Sequence, residues 1–358
     1  MRNVEELIAR TDCSLEHSRP FVIYSEVGSK TIQAYFSEDN PSEIEPFSGR
    51  GFVFAPYQYD NNALFLNFDN SSSLHLEHTE WSQELTSLSG ENRPCTESEM
   101  SSYLRLVKDA LSLIKVKTVK KVVTSRCSSI ALRDFDLNSL FRRLFGLYPD
   151  AFCYIWYHPE SGLWCGATPE LLVQTDGQEF HTMALAGTKP YEQYLPANWS
   201  EKEEEEQQLV VDFIVNRLQK VTSVVKLSKT RTHRAGQVVH LRTDISGMLK
   251  KNKTTLGSLV RTLHPTSAVC GMPRKLSSNF LEKQEGYDRE YYTGFLGPYN
   301  QEESMGKLYV NLRCMKLFKD KAHIYVGGGI TEQSDPQSEW EETENKKRTM
   351  LEVLSAML

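Results

Sequence analysis

The segment AFCYIWY runs into a turn at HPESG and then into LWCGAT, and ELLVQT runs through Asp176-Gly177 into EFHTMAL. Strands joined by so few residues pair antiparallel, because a parallel neighbour needs a crossover of a dozen or more residues. Asp-Gly between two apolar runs is itself a hairpin signal. Upstream, PFVIYSEV, TIQAYFS, GFVFAPY and NALFLNF alternate with clusters of Asp, Asn, Ser and Gly, so residues 1–95 read as a run of short strands. Residues 71–94 are polar and read as a loop or a surface helix. Thr96 and Glu99 have capping-box spacing. Met100, Tyr103, Leu104, Val107, Leu111 and Ile114 then follow at helical intervals. A β-branched strand is expected at 119–124 and an amphipathic helix at 137–145. Ser200 opens a long helix, acidic at first and apolar later. Further helices are expected at Leu256–Leu263, 276–283 and Pro336–Leu354, and long strands at GKLYVNLRCMKLF and KAHIYV. Strands and helices alternate without βαβ regularity, which predicts an α+β fold with mainly antiparallel sheet.

A chain of 358 residues allows one large domain or two closely packed halves. With 39% hydrophobic and 25% charged residues it can bury a sizeable core. The net charge of −6 lacks the basic footprint of a nucleic-acid binder. No apolar run reaches the 18 residues of a membrane span, and MRNVEELIARTDC lacks the apolar core of a signal peptide. Seven scattered cysteines without a CxxC pair suggest reduced thiols and a cytoplasmic setting.

Two acidic helices carry the first hint of chemistry. Glu203 and Glu206 are three apart and share a helix face; Glu339, Glu342 and Lys346 share another. Paired carboxylates on two helices suit a hard cation such as Mg2+, which takes one or two carboxylates and completes its octahedron with water and substrate oxygens. Taken alone, each cluster reads equally as a solvated helix turn. Strand alternation puts Lys121, Val123 and Ser125 on one face. There Lys121 is either a solvated charge or, in a site, a base. Glu170, after a strand and a proline, is either a turn carboxylate or an acid. Arg313, inside YVNLRCMKL, has the planar fork that clamps carboxylates. Gly327-Gly328-Gly329 allows close backbone approach but lacks GxGxxG spacing.

In chain order, ten blocks resemble the chorismate-utilising enzymes: KVVTSR (121–126), GATPELLV (166–173), ALAGT (184–188), KEEEEQQLVVDFI (202–214), VHLRTDISG (239–247), LHPTSAVCGMPR (263–274), YDREYYTGFLG (287–297), YVNLRCM (309–315), YVGGGI (325–330) and SDPQSEWEETENKKRTML (334–351). That family spans isochorismate synthases, salicylate synthases and the large chains of anthranilate and aminodeoxychorismate synthases. The resemblance covers the chain from about Thr96 onward. It implies a single domain of two stacked, mainly antiparallel sheets with helices outside. Residues 1–95 would form its β-rich N-terminal part and 96–358 its chorismate-binding catalytic region.

Carried over block by block, the resemblance makes Lys121 the water-activating base and Glu170 the general acid, with Thr168 where serine is common. Glu206 and Glu342 become the magnesium ligands, with Glu203 and Glu339 as helpers. The substrate would meet Tyr292, Arg313, Gly327 and Lys346, in a pocket lined also by Thr188 and His240. Gln207 departs from the pattern, standing where the family often has histidine. Lys121 implies water rather than ammonia as the nucleophile, and Ala186 stands where aminodeoxychorismate synthases place a lysine. The expectation is therefore an Mg2+-dependent isomerase, an isochorismate synthase, in menaquinone or siderophore formation and with menaquinone preferred. No glutamine amidotransferase subunit is expected. A salicylate synthase, which goes on to eliminate pyruvate, and a catalytically silent binding protein of the same fold are the alternatives.

Overall fold

The computed structural model describes residues 2–38, 47–60, 62–77, 96–190, 198–235, 238–251 and 253–358. Both hairpins read from the sequence are present, and among the described residues every strand pairing is antiparallel. The strands, numbered along the chain, build two sheets of nine. In spatial order the first holds β14 (Gly271–Met272), β6 (Lys121–Ala131), β18 (Lys321–Ile330), β17 (Cys314–Leu317), β8 (Gly162–Thr168), β7 (Phe152–His158), β1 (Phe21–Ser25), β2 (Thr31–Ser37) and β5 (Ser71–Glu77). The second holds β11 (Thr222–Leu227), β13 (Val238–Leu249), β10 (Glu179–Pro190), β9 (Leu171–Asp176), β16 (Met305–Val310), β15 (Phe295–Asn300), β3 (Arg50–Ala55) and β4 (Leu64–Asn67), with β12 (Arg231–Ala235) paired to β13.

An aromatic layer fills the space between the sheets. Tyr24, Phe152, Tyr154, Trp156 and Trp164 come from the first sheet, and Phe52, Phe54 and Tyr309 from the second. Phe152 stacks on Tyr309 with ring centroids 4.2 Å apart. Such wide, flat side chains bury much area and gain from offset stacking. The outer faces carry the helices. Against the first sheet lie α1 (Arg2–Glu16), α3 (Leu137–Leu147) and the end of α7 (Pro336–Leu354). Against the second lie α4 (Glu201–Leu218) and α5 (Leu256–Leu263). Finally, α2 (Glu97–Lys115) and α6 (Arg274–Gln284) pack with Trp340 of α7 over the β6 end of the first sheet.

Four local expectations change. Residues 1–95 are not all strand, since α1 opens the chain. Its buried face is Val4, Leu7, Thr11 and Ser14, and the two hydroxyl residues hid the apolar period; Thr11 Oγ1 donates to Leu7 O at 2.7 Å. Within 71–94, residues Ser71–Glu77 form edge strand β5, polar because a sheet edge keeps one flank in water; 78–94 lie outside the described residues. Thr96 does cap α2, accepting from Glu99 N at 3.2 Å. The Glu99 carboxylate, however, turns away to Arg126 Nη1 at 2.8 Å instead of closing the box.

The fourth change shapes the site. YVNLRCMKL is not one strand. Residues up to Val310 belong to β16 in the second sheet, and from Cys314 the chain is β17 in the first. Asn311 to Arg313 cross between them, and Arg313 takes φ 47°. A second crossing, Pro169 and Glu170, joins β8 to β9. The two crossings run side by side because β8 pairs with β17 and β9 with β16. Ala167 N donates to Arg313 O at 3.0 Å, Val310 N to Glu170 O at 2.9 Å, and Thr168 Oγ1 to Val310 O at 2.6 Å.

Candidate active site

Next to these crossings a cleft opens that admits a water-sized sphere over about 240 Å³. Eleven of the twelve residues singled out from the sequence line it: Lys121, Glu170, Glu203, Glu206, His240, Tyr292, Arg313, Gly327, Glu339, Glu342 and Lys346. The twelfth, Thr188, pairs through its backbone with His240 across β10 and β13; its side chain lies outside the described residues.

Alternation along β6 turns Lys121 inward, 8% exposed, while Val122 and Thr124 face the helices. Beside it, β18 supplies the glycine run. A Cβ at Gly329 would come within 2.7 Å of Lys121 Cε, and one at Gly327 within 3.0 Å of the Tyr292 hydroxyl. Any larger residue would occupy the space these side chains use, so the run is required by close approach. Lys121 Nζ donates to Glu206 Oε1 at 2.8 Å.

The acids come from α4 and α7. Ser200 caps α4, and Glu203 returns the capping box, accepting from Ser200 N at 2.7 Å. Burial pushes the Glu203 carboxyl up, but the Ser200 hydroxyl and backbone, with Lys189 at 3.4 Å, hold it below its ordinary value. Glu204 and Glu205 are exposed, Glu206 faces the cleft, and Gln207 turns into the core. The Gln207 amide donates to Ala184 O at 3.0 Å and Thr243 Oγ1 at 2.9 Å, tying α4 to β10 and β13. The residue that departs from the family pattern is thus a strut of the helix that presents the acids. In β10, Gly187 makes a bulge at φ 62°, and its carbonyl accepts from His240 Nδ1 at 3.1 Å. Burial holds His240 down to about 4, so it is a neutral donor near pH 7.

On α7, Glu342 pairs with Lys346 at 2.6 Å, and Lys346 Nζ also donates to Gly327 O at 2.8 Å. The Lys346 charge holds Glu342 below the usual carboxylate range despite burial. Arg313 sits where the chain crosses, half-buried in the wall of the cleft, and burial lowers its pKa. Glu170 behaves oppositely to Glu342. Burial raises it to about 7, although Lys121 and Lys346 pull it down. About half of it is therefore protonated at neutral pH, so a proton is available there.

Four carboxylates on two helices give an all-oxygen donor set, which fits a hard divalent cation. The glycine ribbon leaves the room: a Cβ at Gly328 would sit 3.1 Å from Glu339 Oε2, and one at Gly329 3.9 Å from Glu206 Oε1. Among the described residues no three His, Cys, Asp or Glu side chains form a ready-made cage.

Sequence reasoning missed the support beneath the site. Arg289, in the YDREYY block, donates to Glu285 Oε2 at 2.7 Å, Val269 O at 2.8 Å and Val123 O at 2.7 Å. Glu285 in turn accepts from Ser125 N at 2.8 Å. An arginine among aromatic neighbours was the available signal. Lys189 was missed too, though it follows the ALAGT block directly.

A cleft between stacked antiparallel sheets, with a buried lysine, a glutamate raised to about 7, two acidic helices and the cations Arg313 and Lys346, suits a small anionic molecule. The chain belongs to the chorismate binding enzyme family, whose model matches residues 60–355. It is 30% identical over 265 residues to isochorismate synthase EntC of Escherichia coli (strain K12), covering 71% of this chain and 67% of that protein. In fold it is similar to the menaquinone-specific isochorismate synthase MenF of Escherichia coli, with a TM-score of 0.76, 22% identity and coverage of 94% of this chain and 88% of that one. It is also similar to anthranilate synthase component I of Streptococcus pneumoniae, with a TM-score of 0.68, 19% identity and coverage of 92% and 90%. The fold is therefore common to different chemistries, and the residues of the cleft must distinguish them. Among the described residues no helix is long and apolar enough to cross a membrane.

Proposed function

We propose that this protein is an Mg2+-dependent isochorismate synthase, an isomerase that adds water at C2 of chorismate and removes the C4 hydroxyl. The observation that carries this reading is a buried lysine and a glutamate with a raised carboxyl lining one cleft. Lys121 is held by Glu206, and Glu170 is raised to about 7 by burial.

Arg313 and Lys346 bind the substrate carboxylates, with the Tyr292 hydroxyl and the Gly327 backbone beside them, and Thr188 and His240 complete the wall. Lys121 takes a proton from water as the oxygen bonds to C2. Glu170 gives its proton to the C4 hydroxyl, which leaves as water while the double bonds shift. One water enters and one leaves, so the cycle closes when Lys121 loses a proton and Glu170 regains one. Lys121 can take the proton from water only as the neutral amine, so it must first give up the proton with which it meets Glu206. Held by Glu206 and Glu342, with Glu203 and Glu339 around them, Mg2+ would supply charge stabilisation at the ring carboxylate. Each acid–base partner contributes about 10²–10⁴-fold in rate.

The reading places the protein in the cytoplasm, acting without a glutamine amidotransferase subunit, with menaquinone formation as the proposed use of its product. Residues 1–95 act in it as part of the same domain as 96–358, supporting the catalytic part through strands contributed to both sheets. The test is to incubate purified protein with chorismate and magnesium, with an EDTA control, and to separate the products. Isochorismate formed only with magnesium supports the reading. Salicylate with pyruvate moves the protein to the salicylate synthases, and no product removes the enzyme assignment.

A further inference from the structure

Beside the main cleft lies a second, much smaller space of about 10 Å³, the room of one water molecule. Glu170, Leu185 and Ala268 border both spaces, so Glu170 stands between them. Most of the other residues lining the small cavity are apolar, Leu172, Val210 and Ile214 among them, but Thr182 and Thr266 also line it. Thr182 Oγ1 uses its proton on Leu172 O at 2.6 Å and keeps lone pairs to accept with. Thr266 is 7% exposed, and among the described residues its Oγ1 has no hydrogen-bond partner. The Glu170 hydrogen bonds among the described residues are both backbone ones: its N donates to Thr168 Oγ1 at 3.4 Å and its O accepts from Val310 N at 2.9 Å. Thr266, with a buried hydroxyl that has no partner among the described residues, and Glu170, whose carboxyl has none there either, thus line one water-sized space. Buried polar groups are seldom left so, and an ordered water is the usual solution.

We infer that one buried water fills this space, bridging Thr266 Oγ1 and the Glu170 carboxyl, and that Thr266 is thereby a positioning residue for Glu170. The inference rests on the reading of Glu170 as the acid. The water donates to one carboxyl oxygen and leaves the protonated oxygen turned to the cleft. Thr266 fixes the water, and the water steadies the carboxylate once its proton has gone.

Thr266→Val keeps the shape and removes the hydroxyl. It lowers kcat by roughly ten- to a hundredfold through misorientation of the acid, with KM nearly unchanged. It also moves the basic limb of the kcat profile to higher pH, because the charged carboxylate loses a donor. Thr266→Ser restores both. An infrared titration reads the same group without turnover: the protonated-carboxyl band, assigned by its loss in Glu170→Gln, persists to higher pH in Thr266→Val than in wild type. A variant with wild-type kcat and a wild-type band overturns the inference. Should Thr266→Val fail to fold, a crystal structure of the wild-type protein decides: water within hydrogen-bond distance of both groups supports the bridge, and an empty cavity overturns it. Full activity in Glu170→Gln would instead remove the acid assignment, while the infrared titration and the crystal structure would still decide whether the water is there.

Discussion

Two buried ion pairs sit a few residues apart along the inward face of β6, and they are built to opposite ends. Near Ser125, Arg289 and Glu285 are saturated: the guanidinium meets a carboxylate, two backbone carbonyls and Thr293, and the carboxylate also accepts from Ser125. Near Lys121 the side-chain nitrogen has, among the described residues, a single hydrogen-bond partner, Glu206, and the cleft lies beside both. The first pair leaves nothing for a ligand to take, so it fixes shape. The second can exchange its partner, so it can do chemistry. Burial alone does not mark a functional charge; burial with unspent hydrogen-bonding capacity does.

The comparison can be broken most sharply at Lys121. Lys121→Ala is expected to cut turnover about 10²–10⁴-fold with little change in urea unfolding; near-normal turnover would remove the base. Arg289→Leu is the mirror experiment. It strands Glu285 without its partner and is expected to cost about 3–5 kcal/mol in urea unfolding, where an unchanged midpoint would make the saturated pair dispensable.

Glu170 tests the open side by pH. Its carboxyl is raised from 4.5 to about 7 in the fold. A raised carboxyl contributes stability that is full below pH 4.5 and is lost as pH rises through 7. Glu170→Gln cannot ionise, so it is expected to gain on wild type by about 3 kcal/mol at pH 8 and to show no gain at pH 4. An equal difference at both pH values would contradict the burial of this acid. The smallest effect is expected at Gly329→Ala, whose methyl would push Lys121 Cε aside. About tenfold in kcat, or 1.4 kcal/mol, is the expected loss; no loss would mean that Lys121 has slack.

Much of this was legible in the sequence where local rules decide. Leu256–Leu263 and Pro336–Leu354 are helices with the expected bounds because cap and apolar period agree there. Lys121, Val123 and Ser125 face inward as strand alternation requires, and eleven of twelve named residues meet in the cleft because the ordered blocks carried their identities. What was not legible depends on tertiary partners. YVNLRCMKL has the composition of one strand, and only the side-by-side pairing of β8 with β17 and β9 with β16 shows why it must break at Arg313. Glu99 fits a capping box by spacing, but a buried arginine outbids the helix end. The α1 helix was hidden by Thr11 and Ser14 on its buried face. Gln207 departs from the family pattern, and only the folded chain shows it as a strut from α4 to β10 and β13.

The most direct test of the central claim, that the open Lys121 site delivers water to the ring, is one turnover series in oxygen-18 water with chorismate and magnesium, read by mass spectrometry of the product. Isochorismate carrying one solvent oxygen in its ring hydroxyl, formed by wild type and absent with Lys121→Ala, is the predicted result. Unlabelled product, or labelled product formed equally well without Lys121, would contradict it.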